Sequence, residues 1–433
     1  MRFGTDGVRG RANTELTADF ALDLGRASAE VLGASLAVVG GDSRRSTPML
    51  EAAFVAGLAA SGVEVQRLGV TPTPAVAFAA ARSGAMGAVI SASHNPHHDN
   101  GIKLFAPGGV KLPDAVEADI EATLGRLGPP TAEPGEIHGR GASADAYVDH
   151  LLAALEGRRL DGLGLVVDAA NGAASYLAAD VFGRTGARVA VINDEPDGTN
   201  INERCGATDP EALAAAVRRE RADVGIALDG DADRLIAVDE RGAVVDGDHI
   251  MAMCAIDMHD RGRLHGDTVV VTVMTNLGFR LAMQDHGIEV IDTAVGDRYV
   301  LEALVAGGHS LGGEQSGHLI FPGQATTGDG MLTGLVLLDI VRRSGRPLSG
   351  LAAAAMTQLP QVLVNVPVAQ RRPNVADELH AEIAAAEADL GDHGRILVRP
   401  SGTEPLVRVM VEAPTAERAR EVADRIAAAV LTG

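Results

Sequence analysis

The chain has 433 residues, too many for one ordinary core, and length alone suggests roughly three domains. Hydrophobic residues make up 46% and aromatics only 3%, so the interior must be packed with Ala, Val, Leu and Ile rather than rings. A formal net charge of −21 disfavours nucleic acid or an anionic membrane surface as a partner, and no apolar run is long enough to span a bilayer.

In chain order, Phe20, Leu24, Ala27 and Val31 recur at helical spacing after Thr17 and predict a helix. Leu36–Val39 reads as a strand. Thr47-Pro48 is a helix start, with Gly62 closing that helix. The next strand ends at Ser91 and runs straight into Ala92-Ser93-His94-Asn95-Pro96. A Gly/Pro-rich stretch over 125–135 breaks the pattern. A second alternating block opens near Leu163–Asp168. It carries a helix around 210–221 and the strand Val224–Leu228, then Asp229-Gly230-Asp231-Ala232-Asp233-Arg234. A third opens near Thr268–Val273, with helices around 277–286 and 298–306, and reaches Gly312-Gly313-Glu314-Gln315-Ser316-Gly317-His318. From about Gln361 the order changes to strand, helix, two strands around Ile396 and Val409, and a closing helix from Ala416.

Strands alternating with helices predict mostly parallel α/β sheets for the first three blocks, and the final order predicts a smaller α+β domain. Each of the first three blocks puts a polar, glycine-bearing loop after a short apolar strand, where open α/β sheets hold their ligands. Three such loops facing one another would build a cleft. No sequence identity joins the blocks, so a structural repeat is an expectation from this habit alone. Cys205 and Cys254 lie far apart without metal spacing and read as reduced thiols of a cytoplasmic protein. The N-terminus lacks the apolar region of a signal peptide.

The loops offer chemistry. Ser93 supplies a hydroxyl beside the His94 imidazole. Asp229, Asp231 and Asp233 supply alternating carboxylates that could converge on one hard cation, and oxygen ligands suit Mg²⁺. The run departs from a calcium loop, because Arg234 stands where that loop needs glycine and Asp239-Glu240 falls out of register for its closing glutamate, which argues against calcium. A nucleophilic hydroxyl with a carboxylate-held divalent cation is the equipment of phosphoryl transfer. Glu314 and Ser316 suit sugar hydroxyls. Arg399-Pro400-Ser401-Gly402-Thr403-Glu404-Pro405, with Arg408, combines guanidinium forks with turn amides that suit phosphate. Arg9 and Arg44 lie in short loops that could approach the cleft. Asp297 is equally readable as a helix cap or as a functional residue. Of the 37 basic residues only Lys103 and Lys111 are lysine, and both follow Ser93 closely. A desolvated ammonium can release its proton where a guanidinium cannot, which marks Lys103 for proton transfer or phosphate contact and leaves Lys111 as its inert control.

Taken together, these loops resemble those of the α-D-phosphohexomutases, and within them the bacterial glucosamine-phosphate branch. The opening Phe3-Gly4-Thr5-Asp6-Gly7-Val8-Arg9-Gly10 is similar to that family's N-terminus, and the four loops occur in the family's order. Ser91–Pro96, Asp99–Lys103 and Gln315 look like the glucosamine type. Ala232 stands where glycine is frequent. The resemblance implies three related mixed or parallel-sheet α/β domains, at 1–145, 146–250 and 251–360. A small C-terminal α+β domain at 361–433 would complete the ring of domains around a central cleft. It implies a phosphate carried on Ser93, and one Mg²⁺ held by that phosphoserine with Asp229, Asp231 and Asp233. Proton transfer would fall to Lys103 or His94, with Lys103 the better candidate. Arg9, Arg234, Glu314, Ser316, Arg399, Ser401, Gly402, Thr403 and Arg408 would contact substrate. The implied reaction interconverts glucosamine 6-phosphate and glucosamine 1-phosphate through a bisphosphate, feeding UDP-N-acetylglucosamine and cell-wall precursors. Mannose or glucose phosphates are the alternative substrates. The partner is then a small sugar phosphate in the cytoplasm, with a homodimer left open.

Overall fold

The computed structural model describes residues 2–4, 6–129, 133–139, 144–401 and 405–432. The chain divides into two compact units, Met1–Met274 with Ile288–Ala355, and Thr275–Gly287 with Met356–Gly433.

Three sheets build the first unit. The first contains β1 (Val8–Arg11), β2 (Leu36–Gly41), β3 (Glu64–Val70), β4 (Met86–Ile90), β5 (Asp99–Ala106), β6 (Val110–Lys111) and β7 (Ile137–His138). Its order is β1-β5-β4-β2-β3-β7, with β6 also on β5. The second contains β8 (Gly164–Asp168), β9 (Arg188–Ile192), β10 (Val224–Leu228), β11 (Leu235–Asp239) and β12 (Val244–Val245), ordered β12-β11-β10-β8-β9. The third contains β13 (Thr268–Thr272), β14 (Glu289–Thr293), β15 (Gly312–Gly313) and β16 (Leu319–Ile320), ordered β14-β13-β15-β16.

The repeat that the sequence only suggests is explicit in these orders. Each sheet has a central strand flanked by two parallel neighbours: β2 between β3 and β4, β8 between β9 and β10, β13 between β14 and β15. In each, the later parallel neighbour turns back into an antiparallel partner: β4 into β5, β10 into β11, β15 into β16. The sheets are therefore mixed, parallel at the centre and antiparallel at one side, rather than parallel throughout. The Ser93, Asp229–Arg234 and Glu314–His318 loops are the same turn in three copies.

Local chemistry explains the supporting helices. Thr17 caps Ala18–Leu32 by accepting the Phe20 amide at 3.2 Å, and Leu24 and Ala27 are buried while Phe20 and Val31 pack at the core's edge. The helix Thr47–Ala60 opens with Pro48 in its first turn. Strands β4, β8 and β10 are buried at every residue, as expected for strands covered on both faces.

In the second unit, β17 (Gln361–Pro367), β18 (Arg395–Pro400) and β19 (Leu406–Glu412) form an antiparallel sheet ordered β17-β19-β18. The helix Ala416–Thr432 packs its Ala419, Val422 and Ile426 into a core with Val362, Val398, Val409 and Val411. This is the α+β order expected from the sequence.

Candidate active site

Ser93 sits in the turn between β4 and β5 in the left-handed backbone region, at φ 51°. For a residue with a Cβ this costs about 1–2 kcal/mol, so the surroundings must hold it. They do so from both sides. Arg44 Nη2 donates to the carbonyls of Ser93 (2.9 Å) and Asn95 (2.6 Å), and Asn202 Nδ2, from the second sheet's connections, donates to the same two (2.9 and 3.1 Å). Ser91 Oγ accepts the Ser93 amide at 2.9 Å and donates to Asp42 at 2.6 Å. Gly230 allows the second turn to come this close, since a Cβ there would lie 2.5 Å from the Ser93 carbonyl. The Ser93 hydroxyl then donates to Asp229 Oδ2 at 2.5 Å.

Asp229, Asp231 and Asp233 are all buried, and one oxygen from each lies within 4.8 Å of the others. Burial, followed by the charges of Asp233 and Asp231, pushes the Asp229 carboxyl well above the usual range. Lys103, nearly fully buried on β5, places Nζ 2.7 Å from Asp231 Oδ2, 3.0 Å from Asp233 Oδ2 and 2.8 Å from Asp6 Oδ2. Thr73 Oγ1 adds a hydrogen bond to Asp231 Oδ2 at 2.6 Å. The other oxygens, Asp231 Oδ1 and Asp233 Oδ1, are buried without a hydrogen-bond partner among the described residues.

Cations and the third turn complete the site. His94 Nδ1 lies 3.3 Å from Ser93 Oγ, and burial together with Arg234 and Arg9 holds the imidazole down at about 4, so it is neutral near pH 7. Arg9 pairs with Asp6, and Arg234 faces Asp233, Asp229 and Glu314. Glu314 Oε1 accepts the Gly296 amide at 3.2 Å, and the Gly317 carbonyl accepts the Leu235 amide at 3.0 Å, tying the third turn to the second sheet. Only glycine fits at 317, where φ is 88° and a Cβ would meet the Leu235 carbonyl at 2.0 Å. Ser316 Oγ is buried without a hydrogen-bond partner among the described residues, and Gln315 hydrogen-bonds to Asp246.

In the second unit, Arg399 and Arg408 oppose each other across β18 and β19, and burial together with Arg408 lowers the Arg399 pKa. Two guanidinium groups side by side suit a polyanionic ligand. The Ser401 amide donates to the Leu406 carbonyl at 2.9 Å, and Gly402 and Thr403 lie outside the described residues.

Comparison with known proteins places this arrangement. Family models described as phosphoglucomutase/phosphomannomutase domains I, II, III and the C-terminal domain match residues 1–128, 145–242, 246–359 and 363–429. The chain belongs to the phosphoglucomutase/phosphomannomutase family. It is 56% identical to a phosphoglucosamine mutase of Rhodococcus opacus (strain B4), covering 99% of this chain and 98% of that protein. It is likewise 56% identical to a phosphoglucosamine mutase of Frankia alni, over 99% and 97%. Among solved structures, a family protein from Burkholderia thailandensis superposes with a TM-score of 0.83 at 28% identity, over 99% and 97% of the two chains. An Aspergillus fumigatus N-acetylphosphoglucosamine mutase, solved with GlcNAc-6P and magnesium, shares the fold at a TM-score of 0.72 and 20% identity, over 99% and 95%.

Family membership implies a divalent cation, and the donor set fits one. Lys103 offsets part of the charge on Asp231 and Asp233, yet among the described residues each keeps a buried oxygen without a hydrogen-bond partner beside Asp229, and all-oxygen donors suit Mg²⁺.

Several expectations need correction. Burial alone would make Lys103 release its proton easily, but Asp231, Asp233 and Asp6 outweigh burial and raise its pKa well above the usual value. As it stands, it is a fixed ammonium rather than a ready proton donor. Lys111 is not an inert control: its ammonium is largely buried between Asp6 (2.7 Å) and Asp297. Asp297 is not a cap. Gly296 occupies that position, and the Asp297 carboxylate faces Lys111. Arg44 is fully buried under the Ser93 turn rather than exposed to a ligand. Ala232 has φ 59°, which explains why glycine suits its position. Sequence reasoning missed Asp6, Thr73, Asn202 and His318. Asp6 and His318 had a signal, their places in the opening motif and in the third loop; Thr73 and Asn202 had none.

Proposed function

We propose that the protein interconverts glucosamine 6-phosphate and glucosamine 1-phosphate, the phosphoglucosamine mutase reaction, with Ser93 as the phosphoryl carrier. The observation that carries this is full-length identity of 56% to relatives so named, joined to a serine hydroxyl seated on a buried three-aspartate cluster.

In this reading Ser93 Oγ carries the phosphoryl group between sugars. The sugar's anomeric hydroxyl attacks the serine phosphate, the P–Oγ bond breaks as the new P–O bond forms, and the hydroxyl proton ends on Ser93 Oγ. The resulting bisphosphate turns over, and the reverse sequence at its 6-phosphate returns the phosphoryl group to Ser93. A Mg²⁺ held by Asp229, Asp231 and Asp233 would offset the charge gathered on the phosphate. The neutral imidazole of His94, 3.3 Å from Ser93 Oγ, is suited to take and return the proton. Arg9 and Arg234 compensate charge around the serine, while Glu314 and Ser316 are assigned to the sugar hydroxyls. Arg399, Ser401 and Arg408, with the neighbouring Gly402 and Thr403, are assigned to the phosphate that is not reacting. The left-handed Ser93 turn, fixed by four hydrogen bonds from Arg44 and Asn202, keeps the hydroxyl oriented without further ordering when substrate binds.

A coupled assay tests the reading, with glucosamine 6-phosphate, mannose 1-phosphate and glucose 1-phosphate supplied in parallel, with and without Mg²⁺. Turnover of the amino sugar should dominate and should vanish in chelator. Preference for mannose or glucose phosphate would transfer the chain to the other branch of its family.

A further inference from the structure

Six side chains close a ring of charged and polar groups beside the aspartate cluster, drawn from all three sheets of the first unit. Lys103 Nζ is 2.8 Å from Asp6 Oδ2 and 3.0 Å from Asp233 Oδ2. Asp233 Oδ1 lies 3.7 Å from His318 Nδ1, and His318 Nε2 lies 3.4 Å from Asp297 Oδ2. Asp297 pairs with Lys111, and Lys111 Nζ returns to Asp6 Oδ1 at 2.7 Å. The Gly328 amide donates to His318 Nε2 at 3.0 Å, which leaves the imidazole proton on Nδ1, facing Asp233, and makes the Nε2–Asp297 approach a close contact rather than a hydrogen bond.

Asp6 is the divider in this ring. One of its oxygens holds Lys103 and the other holds Lys111. Lys103 in turn takes Oδ2 of both Asp231 and Asp233; among the described residues Asp231 Oδ1 has no hydrogen-bond partner, and Asp233 Oδ1 has only the longer approaches of His318 Nδ1 at 3.7 Å and Arg234 Nε at 3.8 Å. We infer that Lys111 and Asp297 are positioning residues: through Asp6 they hold the Lys103 ammonium against the two aspartates, which fixes the rotation of those carboxylates and keeps their Oδ1 atoms free for the cation. This inference rests on the metal reading given above.

The inference runs against simple electrostatics, which makes it testable. Removing a cation near a cation site should tighten metal binding by Coulomb's law. If Lys111 positions Lys103, removing it has the opposite effect. Asp6 then has one fewer ammonium to share, Lys103 is freed from the repulsion of its neighbour, and it is drawn toward Asp6 and away from the aspartates.

The test is Mg²⁺ affinity by titration calorimetry on metal-free full-length protein, for wild type, Lys111→Met, Lys111→Arg and Asp231→Asn. Thermal unfolding in chelator shows which variants are folded. Lys111→Met should bind Mg²⁺ at least tenfold more weakly. Lys111→Arg keeps the charge but not the compact ammonium, and it should also bind more weakly. A folded Lys111→Met that binds Mg²⁺ as tightly as wild type, or more tightly, overturns the inference. If that variant does not fold, Lys111→Arg decides, and wild-type affinity there overturns it equally. A wild type that takes up no Mg²⁺, or an Asp231→Asn protein that binds as wild type does, instead fails the metal reading and takes this inference with it.

Discussion

Ser93 Oγ donates to Asp229 Oδ2 at 2.5 Å across the junction of two sheets, although the residues are 136 positions apart in the chain. The contact joins the proposed phosphoryl carrier to the proposed metal cluster before any ligand arrives. Ser93→Ala should abolish turnover and leave the unfolding midpoint nearly unchanged, and intact-protein mass spectrometry should find a phosphate on active wild type that the variant lacks. Active protein carrying no phosphate would remove Ser93 from its assigned role.

Asp229→Asn should also inactivate the enzyme, with an opposite signature in stability. In wild type, Asp229 is a buried carboxyl pushed up by burial and by two neighbouring aspartates, which costs stability without metal. The amide variant should therefore be at least as stable as wild type in chelator. Added Mg²⁺ should raise the wild-type midpoint, by about 2.7 kcal/mol of stability at a hundredfold excess over Kd, and should not raise the variant's. Equal responses to Mg²⁺ would argue against Asp229 as a ligand.

Lys103→Met leaves Asp6, Asp231 and Asp233 without the ammonium that they share. Breaking a buried pair from one side typically costs about 3–5 kcal/mol, and the unfolding midpoint should fall by several degrees. Lys103→Arg should recover part of that stability, because the charge remains, while activity stays low because a planar fork replaces a point charge at three acceptors. Full activity in Lys103→Arg would mean that only charge matters there.

Asp329 gives a pH effect that does not involve the active-site chemistry. It caps the helix Gly330–Ser344 through the Leu332 amide at 3.0 Å, accepts the Tyr147 hydroxyl at 2.7 Å, and burial pushes its pKa up to about 6 from an ordinary 3.8. The folded state thus holds its proton more tightly than the unfolded state does. Between about pH 4 and 6 stability falls as pH rises, and above 6 the penalty is fully present. Asp329→Asn keeps both the cap and an acceptor. It should be more stable than wild type by on the order of 3 kcal/mol at pH 8, with the gap closing toward pH 4. A stability gap that does not change with pH would contradict this.

The sequence made the elements legible because their signals are local. Thr17, Thr47-Pro48 and the runs Val224–Leu228 and Thr268–Thr272 announce helix starts and buried strands within a few residues. Asp229, Asp231 and Asp233 were legible for the same reason, sharing one turn. The ring was not, because Asp6, Lys111, Asp297 and His318 converge from distant segments and no spacing rule joins them. Lys103 was found for the wrong cause. Its isolation among arginines pointed to it correctly, but burial without knowledge of its neighbours gave the wrong direction for its pKa, since three carboxylates outweigh desolvation.

The scarcity of lysine has an experimental use. With only two lysines in 433 residues, and both in one ring, selective ¹⁵N-lysine labelling would leave just two ammonium groups to observe by NMR, both beside the aspartate cluster. Both lysine side chains are almost wholly buried in the folded protein, so amine-directed reagents should largely spare them, while the two groups report metal, phosphate and sugar arriving.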